Sequence, residues 1–381
     1  MKPENAIRLF QWAAFTSAFD RLMIAPLLIV IAVDLDLTVA TATVLATANL
    51  VAYGLMQLVW ALLSDRFGRI RMMRLALAMA SVAGVAAAIS VNLETLVVAR
   101  ALAGASFAAA LPGALVYIGD TVPASERPGP LSDLMRGTAV GSAAAALVAG
   151  AIGALFSWRV AFAGVGLIAL VLAWRLGRVT EPELPDGARP MAAVVAVVRD
   201  RWALLVLFLA LGEGFVLLSV LNFLPAAIQS ADGTNTAVAG AVVAVYGVAV
   251  LFATPVVKRR AASAPPSRLV LVGGTLTALG LAAFVIDHGI AGVLVGCFLL
   301  GAGWAFMHTT LQAWATDVVP HARAAAVSLF ATVLFTGSAA GTFVGGRLIA
   351  DGEFTPLFTA MLLLGIPLVA VAWTGRRRFA R

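Results

Sequence analysis

Long apolar runs recur along the whole chain, separated by short loops rich in charge, glycine and proline. Twelve can be read, at roughly 8–33, 41–63, 73–91, 94–118, 131–155, 160–177, 202–229, 236–257, 268–286, 290–315, 323–350 and 355–374. A bilayer core about 30 Å thick is crossed by a helix of about 20 apolar residues. The runs therefore predict an all-α polytopic membrane protein with twelve transmembrane helices. Composition agrees: of 381 residues, 62% are apolar and only 12% charged. A soluble domain sits near half and a quarter, so an ordinary cytosolic enzyme is excluded. Twelve spans use about 250 residues and leave about 130 for loops and tails, with no room for a large soluble domain.

The first run reads as a span and not as a cleaved leader, because it is long, carries Asp20 and Arg21 mid-run and lacks a small-residue cleavage site. Charge then sets orientation. Loops on the side of the N-terminus hold 22 of the 26 Lys and Arg residues, from Lys2 and Arg8 through Arg189 in the middle to Arg376, Arg377, Arg378 and Arg381 at the end. The opposite loops hold mostly acids, among them Asp34, Asp36, Glu94, Asp232, Asp287, Asp351 and Glu353. The positive-inside rule places both termini in the cytoplasm. It also accounts for the net charge of +7 without a nucleic-acid partner. Cys297 is the only cysteine, so a disulfide within the chain and a cysteine metal cluster are both excluded. The Ala-, Arg- and Gly-rich composition points to a bacterial inner membrane.

Spans 1–6 and 7–12 are joined by the most polar stretch of the chain, with Pro182, Pro185 and Pro190. We read residues 1–178 as one six-helix bundle, 179–201 as a cytoplasmic linker and 202–381 as a second bundle. The halves repeat. Asp120-Thr121-Val122-Pro123 after span 4 matches Asp317-Val318-Val319-Pro320 after span 10, and Arg127 then matches Arg323 at an offset of 196. The same offset aligns Gly141-Ser142-Ala143-Ala144 with Gly337-Ser338-Ala339-Ala340, and Gly150 with Gly346. Duplicated six-helix halves are a transporter architecture, with the substrate held between them near the midplane.

The loop between spans 2 and 3 reads Ala61-x-x-x-Asp65-Arg66-x-Gly68-Arg69-x-Arg71. It is a tight turn that sets one acid against several guanidiniums. Such a cluster can latch helix ends or simply anchor topology. Its order resembles the G-x-x-x-D-R-x-G-R-x-R signature of the major facilitator superfamily, with Ala61 in place of the first glycine. Arg100 followed by Gly104, the Trp158-Arg159-x-x-Phe162 stretch and the Asp120 and Asp317 loops are similar to further family patterns. The resemblance implies the major-facilitator fold, two pseudo-symmetric halves working by alternating access, and a cytoplasmic gate between spans 2 and 11 at Asp65, Arg66, Gly68 and Arg69. The second-half copy, Lys258-Arg259-Arg260, lacks the acid and the glycine. Family drug/proton antiporters carry G-P-x-x-G-G in span 5; here Gly150-Ala151-Ile152-Gly153 has no proline.

Four charged groups fall inside spans: Asp20, Arg21, Arg100 and Glu213. Each costs about 2.5–3.5 kcal/mol at a helix centre and so needs a partner or water. Asp20, twelve residues after Arg8, lies about 18 Å along its helix, near the midplane. Glu213 lies in a matching place eleven residues after Trp202. Neighbours on a helix point about 100° apart, so of Asp20 and Arg21 one is expected to face Arg100 and the other the cavity. The reading is proton coupling by Asp20 and Glu213 with Arg100 as the switching charge; a permanent Asp20–Arg100 ion pair is the alternative.

Asn49, Tyr53 and Gln57 on span 2, and Trp304, His308 and Gln312 on span 10, follow i, i+4, i+8 spacing. With Arg21 they are the candidate lining of a substrate cavity, though such stripes also serve as helix–helix glue. His308 has no ligand companions, since His288 and His321 fall in loops at opposite faces, so no metal is expected. The sequence has no phosphate-cradling loop and no nucleophile elbow. Neither a cofactor nor enzymatic catalysis is expected. The expected function is proton-coupled export, by antiport, of a small organic molecule or drug, the export step resting on the resemblance. The alternative is a proton-coupled symporter importing an anionic metabolite through Arg21, Arg100 and Arg347. The expected partners are that substrate, protons and lipid, with the chain working as a monomer.

Overall fold

A computed structural model describes residues 3–123, 126–182, 190–261 and 263–379; Lys2, Pro185, Arg189 and Arg381 lie outside them. The described residues are almost wholly helical. Eleven helices are long and apolar enough to cross a bilayer, and a twelfth span is the bent pair at the start of the chain. Spans 2 to 6 centre on Val44–Phe67, Arg69–Ala88, Leu93–Phe107 with Ala110–Thr121, Pro128–Leu155 and Trp158–Leu176. Spans 7 to 12 centre on Arg201–Glu213, Thr236–Ala261, Pro266–Ile286, Ile290–Val318, Arg323–Leu348 and Thr355–Arg378. Polar caps start several of them. The Asp200 carboxylate accepts from the N–H groups of Trp202 and Ala203, and the Asn92 amide oxygen accepts from Thr95 N–H.

Three spans expected to be continuous are broken, each at the point where a proline removes a donor and crowds the carbonyl four residues back. Span 1 runs Pro3–Leu22, bends by 45° and resumes as Ile24–Asp34, four residues after Leu22 being Pro26. Span 4 breaks at Ala108, four before Pro112. Span 7 passes from Arg201–Glu213 into a π-helical turn at Gly214–Leu218, then breaks and restarts at Leu224 beside Pro225. The polar linker also holds a helix the sequence reading did not separate, Pro190–Arg199. Its Val197 is buried in the second core, so this helix docks on the second half.

Burial resolves into two cores. One is built mainly from spans 1–6 and the other from spans 7–12. The internal repeat is visible in their packing. A Cβ on Gly141 of span 5 would collide with the Phe15 carbonyl of span 1, and one on Gly337 of span 11 with the Leu211 carbonyl of span 7. Both members of this pair are displaced by 196 residues. The backbones therefore touch at equivalent places in the two halves, which only glycine permits. Across the seam span 2 packs on span 11 and span 5 on span 8. At the acidic-loop face Gly346 meets Thr43 and Gly150 meets Thr236; mid-membrane, Gly54 meets Thr332 and the Tyr53 ring meets Phe335 at 4.7 Å.

Candidate functional site

Among the described residues each half holds one acid in its interior, and the two are satisfied differently. In the first half, Asp20 of span 1 accepts from Arg100 of span 4, with Nη1 to Oδ1 at 2.7 Å and Nη2 to Oδ2 at 3.0 Å. Nη2 also donates to the Asp20 carbonyl at 3.0 Å. Asn49 of span 2 adds its amide to Oδ2 at 3.3 Å and to the Arg100 carbonyl at 3.1 Å. The guanidinium lies 5.1 Å over the Phe162 ring of span 6. Asp20 and Arg100 are 2% and 1% exposed, so this charge-assisted fork ties spans 1, 2 and 4 and is sealed from the seam. Arg100 Nε and Asn49 Oδ1 are left without partners.

In the second half, Glu213 closes the regular part of span 7. It is completely buried, and its Oε2 lies 2.9 Å from Nδ1 of His308 on span 10. Its other oxygen, Oε1, has no partner. His308 is 14% exposed. Its ring stacks on Trp304 one turn earlier, at 4.0 Å and 11°, and tilts against Phe330 of span 11 at 5.6 Å. The stack fixes where the imidazole points, and the residue is the open end of a pair whose carboxyl is closed off. The π-helical turn begins at the residue after Glu213, a backbone irregularity common at functional sites.

Arg21 sits at the seam between the halves. Its guanidinium lies 5.1 Å over the Tyr53 ring of span 2 and 4.7 Å over Phe335 of span 11. Among the described residues no carboxylate comes within ion-pairing distance of it. Tyr246 of span 8 lies within electrostatic reach of both Arg21 and Glu213. Tyr246 lines a cavity of about 20 Å³ bounded by Leu22, Ala25, Ser142 and Leu221, room for one water. Of the two polar stripes, that on span 10 (Trp304, His308, Gln312) is partly exposed. The span 2 stripe is a correction to the expected cavity lining: Asn49, Tyr53 and Gln57 are 1–2% exposed. Asn49 is taken up by Asp20 and Arg100, and Tyr53 is packed against Phe335 and Ser17.

At the basic-loop face, Arg69 is 3% exposed and donates to Asp65, Asp120 and the Ser64 carbonyl, each at 3.0 Å. Gly68 has φ +103°, and the Glu181 carboxyl packs where its side chain would be. Glu181 accepts from the N–H groups of Ile70 and Arg71 at 3.0 Å each, capping span 3. Arg66 lies over Phe67, 5.3 Å away. The cluster expected to gate spans 2 and 11 thus closes, in this conformation, on spans 2, 3 and 4 of its own half. In the second half Asp317 reaches Arg376 of span 12 at 4.0 Å, a looser contact with a different helix.

Sequence reading singled out Glu213 and His308 separately and did not join them, as they lie 95 residues apart. The signal available was the Trp304–His308 spacing of one helical turn, which predicts the stack but not its partner.

A family model described as Major Facilitator Superfamily matches residues 12–342 and, again, 223–381. Among named proteins, the chain is 23% identical over 326 residues to an uncharacterised MFS-type transporter, YybF, of Bacillus subtilis, covering 82% of this chain and 76% of that one. It is 28% identical over 204 residues to a probable 4-methylmuconolactone transporter of Cupriavidus pinatubonensis, covering 50% and 48%. Among solved structures, a D-xylose–proton symporter superposes with a TM-score of 0.82 at 17% identity over 97% of this chain and 96% of that one. A single-residue mutant of the nucleoside transporter NupG gives 0.80 at 13% identity over 98% and 99%.

Proposed function

The chain belongs to the major facilitator superfamily, and from that premise we propose that this multi-pass transporter moves a small organic molecule by alternating access and draws its energy from a proton gradient. The observation that carries the coupling is the Glu213–His308 pair: a wholly buried carboxyl with one unpartnered oxygen, joined to an imidazole that is partly exposed. An ionisable group inside a membrane is a functional candidate by default. His308 is the entry for the proton and Glu213 its seat. The Nδ1–Oε2 contact serves in either state, as an N–H donating to a carboxylate or as a lone pair accepting from a carboxylic acid. Because the π-helical turn starts beside Glu213, a change in its charge acts where span 7 is already irregular.

Asp20 and Arg100 take a different part. The carboxylate accepts three side-chain contacts from its own half, so we assign the pair to holding spans 1, 2 and 4 together rather than to the working proton. The basic-loop cluster around Arg69 anchors the cytoplasmic end of the same half, with both termini on that side of a bacterial inner membrane. Export in exchange for protons and uptake together with protons differ in the sign of one linkage. Exchange needs cargo and proton to compete, whereas co-transport needs each to favour the other.

Purified protein in vesicles containing a pH-sensitive dye tests the coupling. Wild type should let cargo and protons move together in fixed ratio, and Glu213→Gln should keep cargo counterflow while losing the proton movement. Unchanged proton movement in Glu213→Gln would remove the pair from the mechanism.

A further inference from the structure

Among the described residues, two acid–base pairs and one further cation occupy the membrane interior of this protein. Asp20 is matched with Arg100, and Glu213 with His308. Arg21 is the remainder. It neighbours Asp20 in sequence but points the other way, to the seam, where its surroundings are Tyr53, Phe335 and Tyr246. The first two offer ring faces, which attract a cation but accept none of the guanidinium's in-plane N–H groups. Arg21 is half-buried and makes no hydrogen bond among the described residues, so those donors are left without an acceptor at the seam. The other guanidiniums within or beside the spans are engaged or peripheral. Arg100 is sealed on Asp20, Arg159 is held by Asp34 at 2.6 Å, and Arg347 is exposed at the acidic-loop face over Phe343.

We propose that the cargo is an organic monoanion whose carboxylate docks on Arg21, between spans 1, 2 and 11. The inference rests on the transporter reading above and names the substrate class of the same seam. A planar guanidinium presents a fork matched to a carboxylate, and the Tyr53 and Phe335 rings packed against its face hold that fork in place. The small cavity beside Leu22 and Tyr246 has room for one water in this conformation, so the anion enters when the halves part. Its charge then fixes the sign of coupling. The Glu213–His308 pair of the facing half is open at its imidazole end, and a negative cargo arriving between the halves is better accommodated when the Glu213 carboxyl carries a proton, since like charges repel. Of the charged and titratable groups around the seam, Arg21 of span 1 and His308 of span 10 are partly exposed, while Tyr53 of span 2, Glu213 of span 7 and Tyr246 of span 8 are buried behind them; Asp20 is turned away onto Arg100. Anion and proton therefore bind together and cross together, which makes the protein a co-transporter and sets aside the exchange expected from the loop resemblance.

The full chain, reconstituted into liposomes with the membrane potential clamped, is offered labelled benzoate and lactate as anions, tetraphenylphosphonium as cation and D-xylose as neutral probe. Benzoate or lactate should accumulate down an imposed proton gradient. Arg21→Ala should lower that flux at least about thirtyfold, the cost of leaving a buried charge unpaired, and Arg21→Lys should restore part of it. Melting temperature and gel filtration of both variants separate a lost site from a lost fold, and Arg21→Lys keeps the charge if Arg21→Ala does not fold. Flux of xylose or tetraphenylphosphonium with none of either anion overturns the anion assignment and leaves the transporter reading standing. Anion flux unchanged in Arg21→Ala overturns the place of Arg21. No flux of any probe through folded wild-type protein overturns the transporter reading itself.

Discussion

The two interior acids are built on opposite plans. Asp20 takes both Nη atoms of Arg100 and the Asn49 amide, all from its own half, at 2–4% residual exposure. Glu213 takes one imidazole nitrogen and leaves an oxygen bare. A carboxylate with both oxygens held by a buried guanidinium is stiff, because any change of protonation strands its partner in a low-dielectric interior. A half-satisfied acid beside a titratable ring has somewhere to put a proton. The contrast teaches that burial is common to both acids and that what separates them is unused hydrogen-bonding capacity on the carboxyl itself.

That contrast can be broken by experiment. The largest expected effect is on stability in the first half: Asp20→Ala or Arg100→Ala should cost about 3–5 kcal/mol, as orphaning one member of a buried pair usually does. The double change Asp20→Asn with Arg100→Gln should recover most of it, read by thermal unfolding in detergent. A singly changed protein that melts like wild type while losing proton coupling would reverse the roles of the two acids. Next, Glu213→Gln should leave the melting point nearly unchanged and lower proton-driven accumulation at least about tenfold, equivalent to one interaction of about 1.4 kcal/mol. Trp304→Ala should then cost about 0.5–1.5 kcal/mol of stacking and weaken coupling by releasing the His308 ring. The smallest effect belongs to the loops. Asp317→Asn, which touches Arg376 at 4.0 Å from a half-exposed position, should change stability by less than about 1 kcal/mol. Asp120→Asn, facing the buried Arg69, should cost more.

How much of this was legible follows from the range of each interaction. Spans are local: about twenty apolar residues declare a helix wherever the rest of the chain goes, so the twelve segments and the halves' shared register were readable. The breaks at Pro26, Pro112 and Pro225 were also local, yet the apolar runs continue through them, and hydropathy hides a bend that covalent geometry imposes. Asp20 and Arg100 were conspicuous because a membrane makes any charge seek a partner. Glu213 and His308 were conspicuous too, but nothing within a few residues of either announced the other. Nor did the sequence disclose that Asn49 is engaged inside its half while Gln312, on a stripe of the same spacing, is not. Spacing places residues on one face, and only packing decides what that face meets. Glu181 is the same case, a loop acid whose work is done at Ile70 and Arg71 more than a hundred residues earlier.

The bare backbone seams at Gly141 and Gly337 have a mechanical consequence. Where helix meets helix without intervening side chains, no rotamers are left to flex and the interior is nearly incompressible. Along these contacts the two helices of each half are tied backbone to backbone. Any residue larger than glycine at those two places would push span 5 off span 1 or span 11 off span 7 and loosen the half it belongs to.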